Sequence, residues 1–201
     1  MIKFDELSLK FGENTVIDRL SYDFEDGKVT AILGESGIGK TTLLNLIAGL
    51  QKATDGKIIT ECGRLSYVFQ EARLFPWLSA LENVATVSNE KKAKEMLALM
   101  GLSDSLDKYP AELSGGMKQR VSIARALAYD PDVILMDEPF ASLDKERRGS
   151  VSDLLFEMIR GKTAIIVTHD MTDIKYADTV LTLTAPPNTK LLSYSFDGGK
   201  K

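Results

Sequence analysis

Gly34-Glu35-Ser36-Gly37-Ile38-Gly39-Lys40-Thr41-Thr42 is the stretch whose reading decides the fold. It fits G-x-x-x-x-G-K-[ST], a pattern that means something only between a strand and a helix. Both flanks are there. Val29-Thr30-Ala31-Ile32-Leu33 is apolar and β-branched, as a buried strand is. Thr41 to Leu50 reads as a helix with Gly49 near its end. Strand, glycine turn and helix N-terminus in that order make an anion site. The first N–H groups of a helix lack partners within it, and its dipole adds positive potential there. Glycine permits positive φ and a close approach of backbone to ligand. Lys40 would then reach terminal phosphates, and the Thr41 hydroxyl would serve Mg²⁺. A chance glycine-rich turn is the plain alternative, and the flanking strand and helix weigh against it.

A chain of 201 residues can build one substantial α/β domain, with or without a small appended lobe. Its 44% hydrophobic and 27% charged content is that of an ordinary globular protein. No apolar run reaches the length of a membrane span, and Met1-Ile2-Lys3-Phe4-Asp5 lacks the apolar stretch of a secretory signal. Cys62 is the only cysteine, so no internal disulfide can form, which fits a reducing compartment. A net charge of −4 argues against non-specific binding to nucleic acid or anionic membrane as the main activity.

Along the chain, Ile2 to Phe11 and Val16 to Phe24 read as strands joined by the turn Gly12-Glu13-Asn14. Gly56 to Thr60 and Leu65 to Phe69 are further strands. The early chain is therefore an antiparallel β layer feeding a parallel core. From Pro76 the character turns helical. Ser79 with Glu82 forms a capping box, and Lys91 to Met100 is an amphipathic helix stopped by Gly101. Helices over Gly116 to Ala128, Lys145 to Arg160 and Thr172 to Ala177 follow. They alternate with strands over Val133 to Met136, Thr163 to Thr168 and Thr179 to Thr184, and Leu191 to Phe196 is a final strand. That alternation predicts a right-handed βαβ sheet covered on both faces. Gly198 to Lys201 should be loose.

Two further pieces carry chemistry. Val133-Ile134-Leu135-Met136 delivers Asp137 and Glu138 to the carboxyl end of a central strand, where α/β ligands sit. Asp137 would hold Mg²⁺, and Glu138 is placed to polarise an attacking water. Two solvated acids at a strand end are the alternative. Ser114-Gly115-Gly116 opens a helix and is either a second anion site or a simple N-cap.

Together with Leu113-Ser114-Gly115-Gly116-Met117-Lys118-Gln119, these motifs make the sequence resemble the nucleotide-binding subunits of ATP-binding-cassette (ABC) transporters. The resemblance runs from about Ile2 to Thr184 and keeps the family's motif order. It implies an α/β P-loop ATPase core with a parallel sheet, an N-terminal antiparallel β layer and an inserted helical lobe. One nucleotide-binding domain would then span 1–201, with 1–70 and 115–201 as core and 71–114 as lobe.

The same resemblance assigns roles. The cofactors are ATP and Mg²⁺. Gly34 to Thr42, with Glu35, Ser36, Gly37, Ile38, Gly39, Lys40 and Thr41 between them, cradle the phosphates. Phe11 stacks on adenine, where a strand-end core phenylalanine is the alternative. Gln70 senses metal and water, and Asp144, in Ser142-Leu143-Asp144, couples the two nucleotide sites of a dimer. His169, the only histidine, contacts the γ-phosphate end. Ser114 to Gly116 of one chain cap the phosphate held by another, so a homodimer, or a pair with a similar ATPase, is implied.

Gln70-Glu71-Ala72-Arg73-Leu74-Phe75-Pro76-Trp77 resembles the nitrate, sulfonate and taurine importer subgroup. It implies an integral membrane permease partner, a substrate-binding protein in the full system and no nucleic acid. The implied location is cytoplasmic, peripheral on the inner face of the cell membrane. Phe75 and Trp77 would line the groove for the permease, or else pack the lobe. A soluble ABC ATPase that remodels nucleic acid or protein, and a P-loop small-molecule kinase, are the rival readings.

Overall fold

The computed structural model describes residues 1–193. In chain order its elements are β1 (Ile2–Phe11), β2 (Asn14–Phe24), β3 (Val29–Leu33), α1 (Lys40–Ile47), β4 (Asp55–Thr60), β5 (Leu65–Val68), α2 (Ala80–Ala85), α3 (Glu90–Leu99), α4 (Gly115–Ala128), β6 (Val133–Asp137), α5 (Lys145–Met158), β7 (Thr163–Val167), β8 (Thr179–Leu183) and β9 (Leu191–Ser193). They fall into two compact units, residues 1–62 with 163–193 and residues 63–162.

The first unit holds both expected β layers. β1 pairs antiparallel with β2 and with β4. Glu6 sits in a bulge of β1 at φ 48°, and Gly56 crosses it so closely that a Cβ there would lie 2.3 Å from the Glu6 carbonyl oxygen. Only glycine fits that crossing. The second layer runs β7-β3-β8 in parallel, with β9 antiparallel to β8. All five residues of β3 and of β7 are buried, the mark of parallel strands covered on both faces.

The second unit pairs β5 with β6 in parallel and packs α2, α3 and α4 against one another. Ser79 and Glu82 form the expected capping box. Asn89 caps α3, a role the sequence reading did not give it. Arg120, buried on α4, donates to the carbonyls of Met100 (2.7 Å) and Gly101 (3.2 Å) at the end of α3. Burial, and then the neighbouring Arg147 charge, lowers the Arg120 pKa, while the Asp144 charge acts the other way.

The short helix expected over Thr172 to Ala177 is present as one 3₁₀ turn, Ile174–Tyr176. The Asp170 carboxylate accepts from the Thr172 N–H and hydroxyl, and the Asp173 carboxylate accepts from the Thr168 hydroxyl at 2.7 Å. Such side-chain bonds compete with helix formation. The strand expected over Leu191 to Phe196 is seen as Leu191–Ser193. Its remaining residues, and Gly198 to Lys201, lie outside the described residues.

Asn83 fixes the segment preceding α2. It is fully buried, accepts from the Phe75 N–H (2.8 Å) and donates to the carbonyls of Phe75, Leu78 and Ser79. Asn83→Ala would strand several buried backbone groups, so urea unfolding should show a loss of about 2–4 kcal/mol.

Candidate functional site

In the first unit the glycine stretch follows the carboxyl end of β3. Gly37 (φ 79°) and Gly39 (φ 110°) adopt left-handed backbone that side chains resist. A Cβ on Gly39 would also lie 3.0 Å from Val16 Cγ1. As N-cap of α1, Gly39 offers no side-chain acceptor, so the first N–H groups of that helix are left to a ligand. Lys40 is only 8% exposed, and its Nζ donates to the carbonyls of Gly34 (2.8 Å) and Glu35 (2.9 Å). The ammonium thus sits inside the loop it closes. Glu35, Ser36 and Thr41 are exposed, and Ile38 and Thr42 are half-buried. An uncapped helix start, a cradle with little room for Cβ atoms and a lysine held within it fit a triphosphate.

His169 lies at the same end of the sheet. Ile32 pairs with Val167, so Gly34 and His169 each stand two residues beyond paired positions on adjacent parallel strands. The Thr168–Asp173 bond and the Asp170 N–H donating to Thr168 Oγ1 (3.0 Å) brace the exposed His169 turn. Sequence reasoning missed these braces. Phe11 closes β1 and is 54% exposed.

The second unit repeats the arrangement. Val68 pairs with Met136, which sets Gln70 and Glu138 two residues beyond paired positions of β5 and β6. Asp137 is buried at the end of β6, and Gln70 is exposed. Burial chiefly, and then the Asp137 charge, raises the Tyr67 phenol pKa. Glu138 has φ 46°, a left-handed conformation uncommon for a residue with a long side chain and one that costs about 1–3 kcal/mol. Nothing in the sequence flagged it. Among the described residues no group of three or more His, Cys, Asp or Glu side chains gathers. Mg²⁺ commonly leans on one or two carboxylates, phosphate oxygens and water, and in this unit Asp137 offers one such carboxylate.

Ser114 caps α4 by accepting from the Met117 N–H (3.2 Å). A Cβ on Gly116 would lie 3.0 Å from the Ser142 carbonyl, while one on Gly115 would meet nothing within 4 Å. The missing side chain at Gly116 therefore lets α4 begin against Ser142 and Leu143. Asp144 follows them and caps α5, accepting from the Arg147 N–H at 2.9 Å. Gln119, fully buried, donates to the Phe69 carbonyl at 3.1 Å. This link between the Ser-Gly-Gly helix and the residue before Gln70 was not foreseen, although Gln119 stood within the quoted motif.

A glycine cradle between a buried parallel strand and an uncapped helix, in a mixed α/β chain, defines a P-loop fold. The family described as ABC transporter matches residues 17–141. The bicarbonate transport ATP-binding protein CmpD of Synechocystis sp. is 40% identical over 201 residues, covering 90% of this chain and 71% of that protein. The aliphatic sulfonates import ATP-binding protein SsuB of Bacillus subtilis is 41% identical over 179 residues, covering 82% of this chain and 70% of that protein. Among solved structures, the ATP-binding cassette MJ0796, in a dimeric post-hydrolysis state bound to ADP and Pi, aligns with a TM-score of 0.88 at 29% identity. That alignment covers 99% of this chain and 100% of the other. The chain belongs to the ABC transporter family.

If Phe11 stacks on the base, Phe11→Ala should weaken binding of a fluorescent ATP analogue by about 1–3 kcal/mol. Because the ring is exposed, the melting temperature should stay within about 2 °C.

Proposed function

We propose that this chain is the ATP-hydrolysing subunit of an ABC importer, a single nucleotide-binding domain that dimerises around two Mg·ATP. The observation that carries the reading is the Gly34–Thr42 cradle at the uncapped start of α1. Lys40 and the loop amides offset phosphate charge, the largest need in phosphoryl transfer. Asp137, Gln70 and Thr41 serve the metal, which when bound neutralises charge on the phosphate oxygens. Glu138 takes the proton of the attacking water, and His169 orients the γ-phosphate end.

Ser114, Gly115 and Gly116 of a second copy close over the terminal phosphate, with Asp144 at the junction of the two copies. A second helix N-terminus opposite the first completes the charge cage. The dimeric state of the MJ0796 cassette supports this. The names of the relatives, bicarbonate transport and sulfonate import, support a small-anion importer with a membrane permease, placed at the inner face of the membrane. In the described residues no helix is long and apolar enough to cross a membrane. Phe75 (41% exposed) and Trp77 (69% exposed) lie 5.6 Å apart as a surface pair, as a permease contact would need.

Glu138→Gln should lower phosphate release by about 10²–10⁴-fold while ATP affinity holds. Size-exclusion with light scattering should find the variant as an ATP-dependent dimer. Undiminished turnover would overturn the assignment of the base, and the absence of ATP binding by the parent chain would overturn the reading as a whole.

A further inference from the structure

Three of the five non-glycine residues at positive φ among the described residues line one cleft of the first unit. Glu6 (φ 48°) stands in the β1 bulge. Arg19 (φ 49°) stands in β2 where the β1–β2 register shifts again, and Asn188 (φ 61°) in the turn between β8 and β9. Such backbone is uncommon for residues that carry a side chain, and it collects where a side chain must be aimed. The cleft has a volume of about 470 Å³, within the range of small-molecule sites. Its two walls are pinned together. The Asp18 carboxylate accepts from the Asn188 N–H and its carbonyl from the Thr189 N–H, while its own N–H donates to Thr189 Oγ1, each at 2.9 Å. Arg19 donates Nη2 to Asn188 Oδ1 at 2.7 Å.

The charges in the cleft are of both signs and do not pair with one another. Ser21 donates its hydroxyl to Glu6 Oε1 (3.2 Å) and accepts the Glu6 N–H (2.9 Å), which holds that carboxylate about two strand residues, or about 7 Å, from Arg19. Neither the Glu6 carboxylate nor the Lys190 ammonium has an ion-pair partner among the described residues. A plain anion would meet Glu6, and a plain cation would meet Arg19 and Lys190. A ligand that carries both charges satisfies all three. Both walls also touch the phosphate loop. A Cβ on Gly39 would lie 3.0 Å from Val16 Cγ1 on β2, and one on Gly34 would lie 3.4 Å from the carbonyl oxygen of Leu183, which pairs with Leu191 across the β8–β9 hairpin.

We propose that this cleft is an effector site for a small zwitterion, an amino acid or an aminosulfonate. Glu6 holds the ligand's ammonium, and Arg19 and Lys190 hold its acid group. A ligand that ties β1 and β2 to the β8–β9 hairpin steadies two supports of the Gly34–Thr42 cradle, so zwitterion and nucleotide strengthen each other's binding. That coupling rests on the function proposed above, whereas the cleft stands on its own geometry. Calorimetric titration of taurine and of γ-aminobutyrate into the full chain distinguishes the two kinds of acid group. Ethanesulfonate and ethanolamine, which carry one charge each, are the controls.

At least one zwitterion should bind about ten-fold more tightly than either control. Glu6→Gln and Lys190→Met should each weaken it by about ten-fold. Both side chains are exposed, so the melting temperature should stay within about 2 °C in either variant. With the zwitterion bound, a methylanthraniloyl-ATP probe should bind about five-fold more tightly, and that gain should vanish in both variants. No binding of either zwitterion, equal binding of ethanesulfonate, or an affinity that survives both substitutions overturns the site. Probe affinity that is unchanged or weakened with the zwitterion bound overturns its effector role. A parent chain that does not bind the probe refutes the underlying function instead, and the taurine and γ-aminobutyrate titrations still decide the cleft.

Discussion

A helix that begins without a cap has N–H groups that must find an acceptor elsewhere. That constraint at Gly39–Lys40 organises the first unit. An aspartate or serine at Gly39 could have satisfied one of those donors locally and filled the cradle. Glycine leaves them open, and its φ of 110° brings the loop within reach of the Lys40 ammonium. Lysine in turn gathers two carbonyls of the loop and keeps a positive charge at its centre. The buried parallel strands then serve mainly as a rigid base, since β3 and β7 share a register that carries Gly34 and His169 to one edge.

The second unit treats its helix start differently. Ser114 caps α4, so that N-terminus is partly satisfied by its own hydroxyl. What distinguishes it is contact rather than vacancy. Gly116 lets the helix lie against Ser142 and Leu143, and Gln119 and Arg125 tie the helix body to the chain on either side of Gln70. One helix start is thus left without a side-chain cap, and the other is partly capped and joined to its neighbours.

Much of this was legible beforehand. The run Val29–Leu33 and the glycine pattern after it gave the strand, loop and helix in place, because apolar continuity and glycine spacing are local signals. The Ser79–Glu82 box was equally local and was found as read. What escaped reading was non-local or conformational. Asn83 satisfies backbone groups up to eight residues away, and Gln119 reaches a carbonyl fifty residues back. No periodicity announces either one. The Thr172–Ala177 helix shortened because Asp170 and Asp173 spent their carboxylates on Thr172 and Thr168, a choice that propensity leaves open.

The left-handed backbone at Glu138 has a consequence for how such a chain can change. Folding alone would favour glycine or asparagine at that position, since either sits in that conformation more easily. With Glu138 as the base proposed above, thermodynamic pressure and chemical pressure point in opposite directions at one residue. A lineage released from the need to turn over ATP would drift there first, gaining firmness as it lost its engine. Under that proposal the residue would tell a chain selected as a motor from one retained as a scaffold.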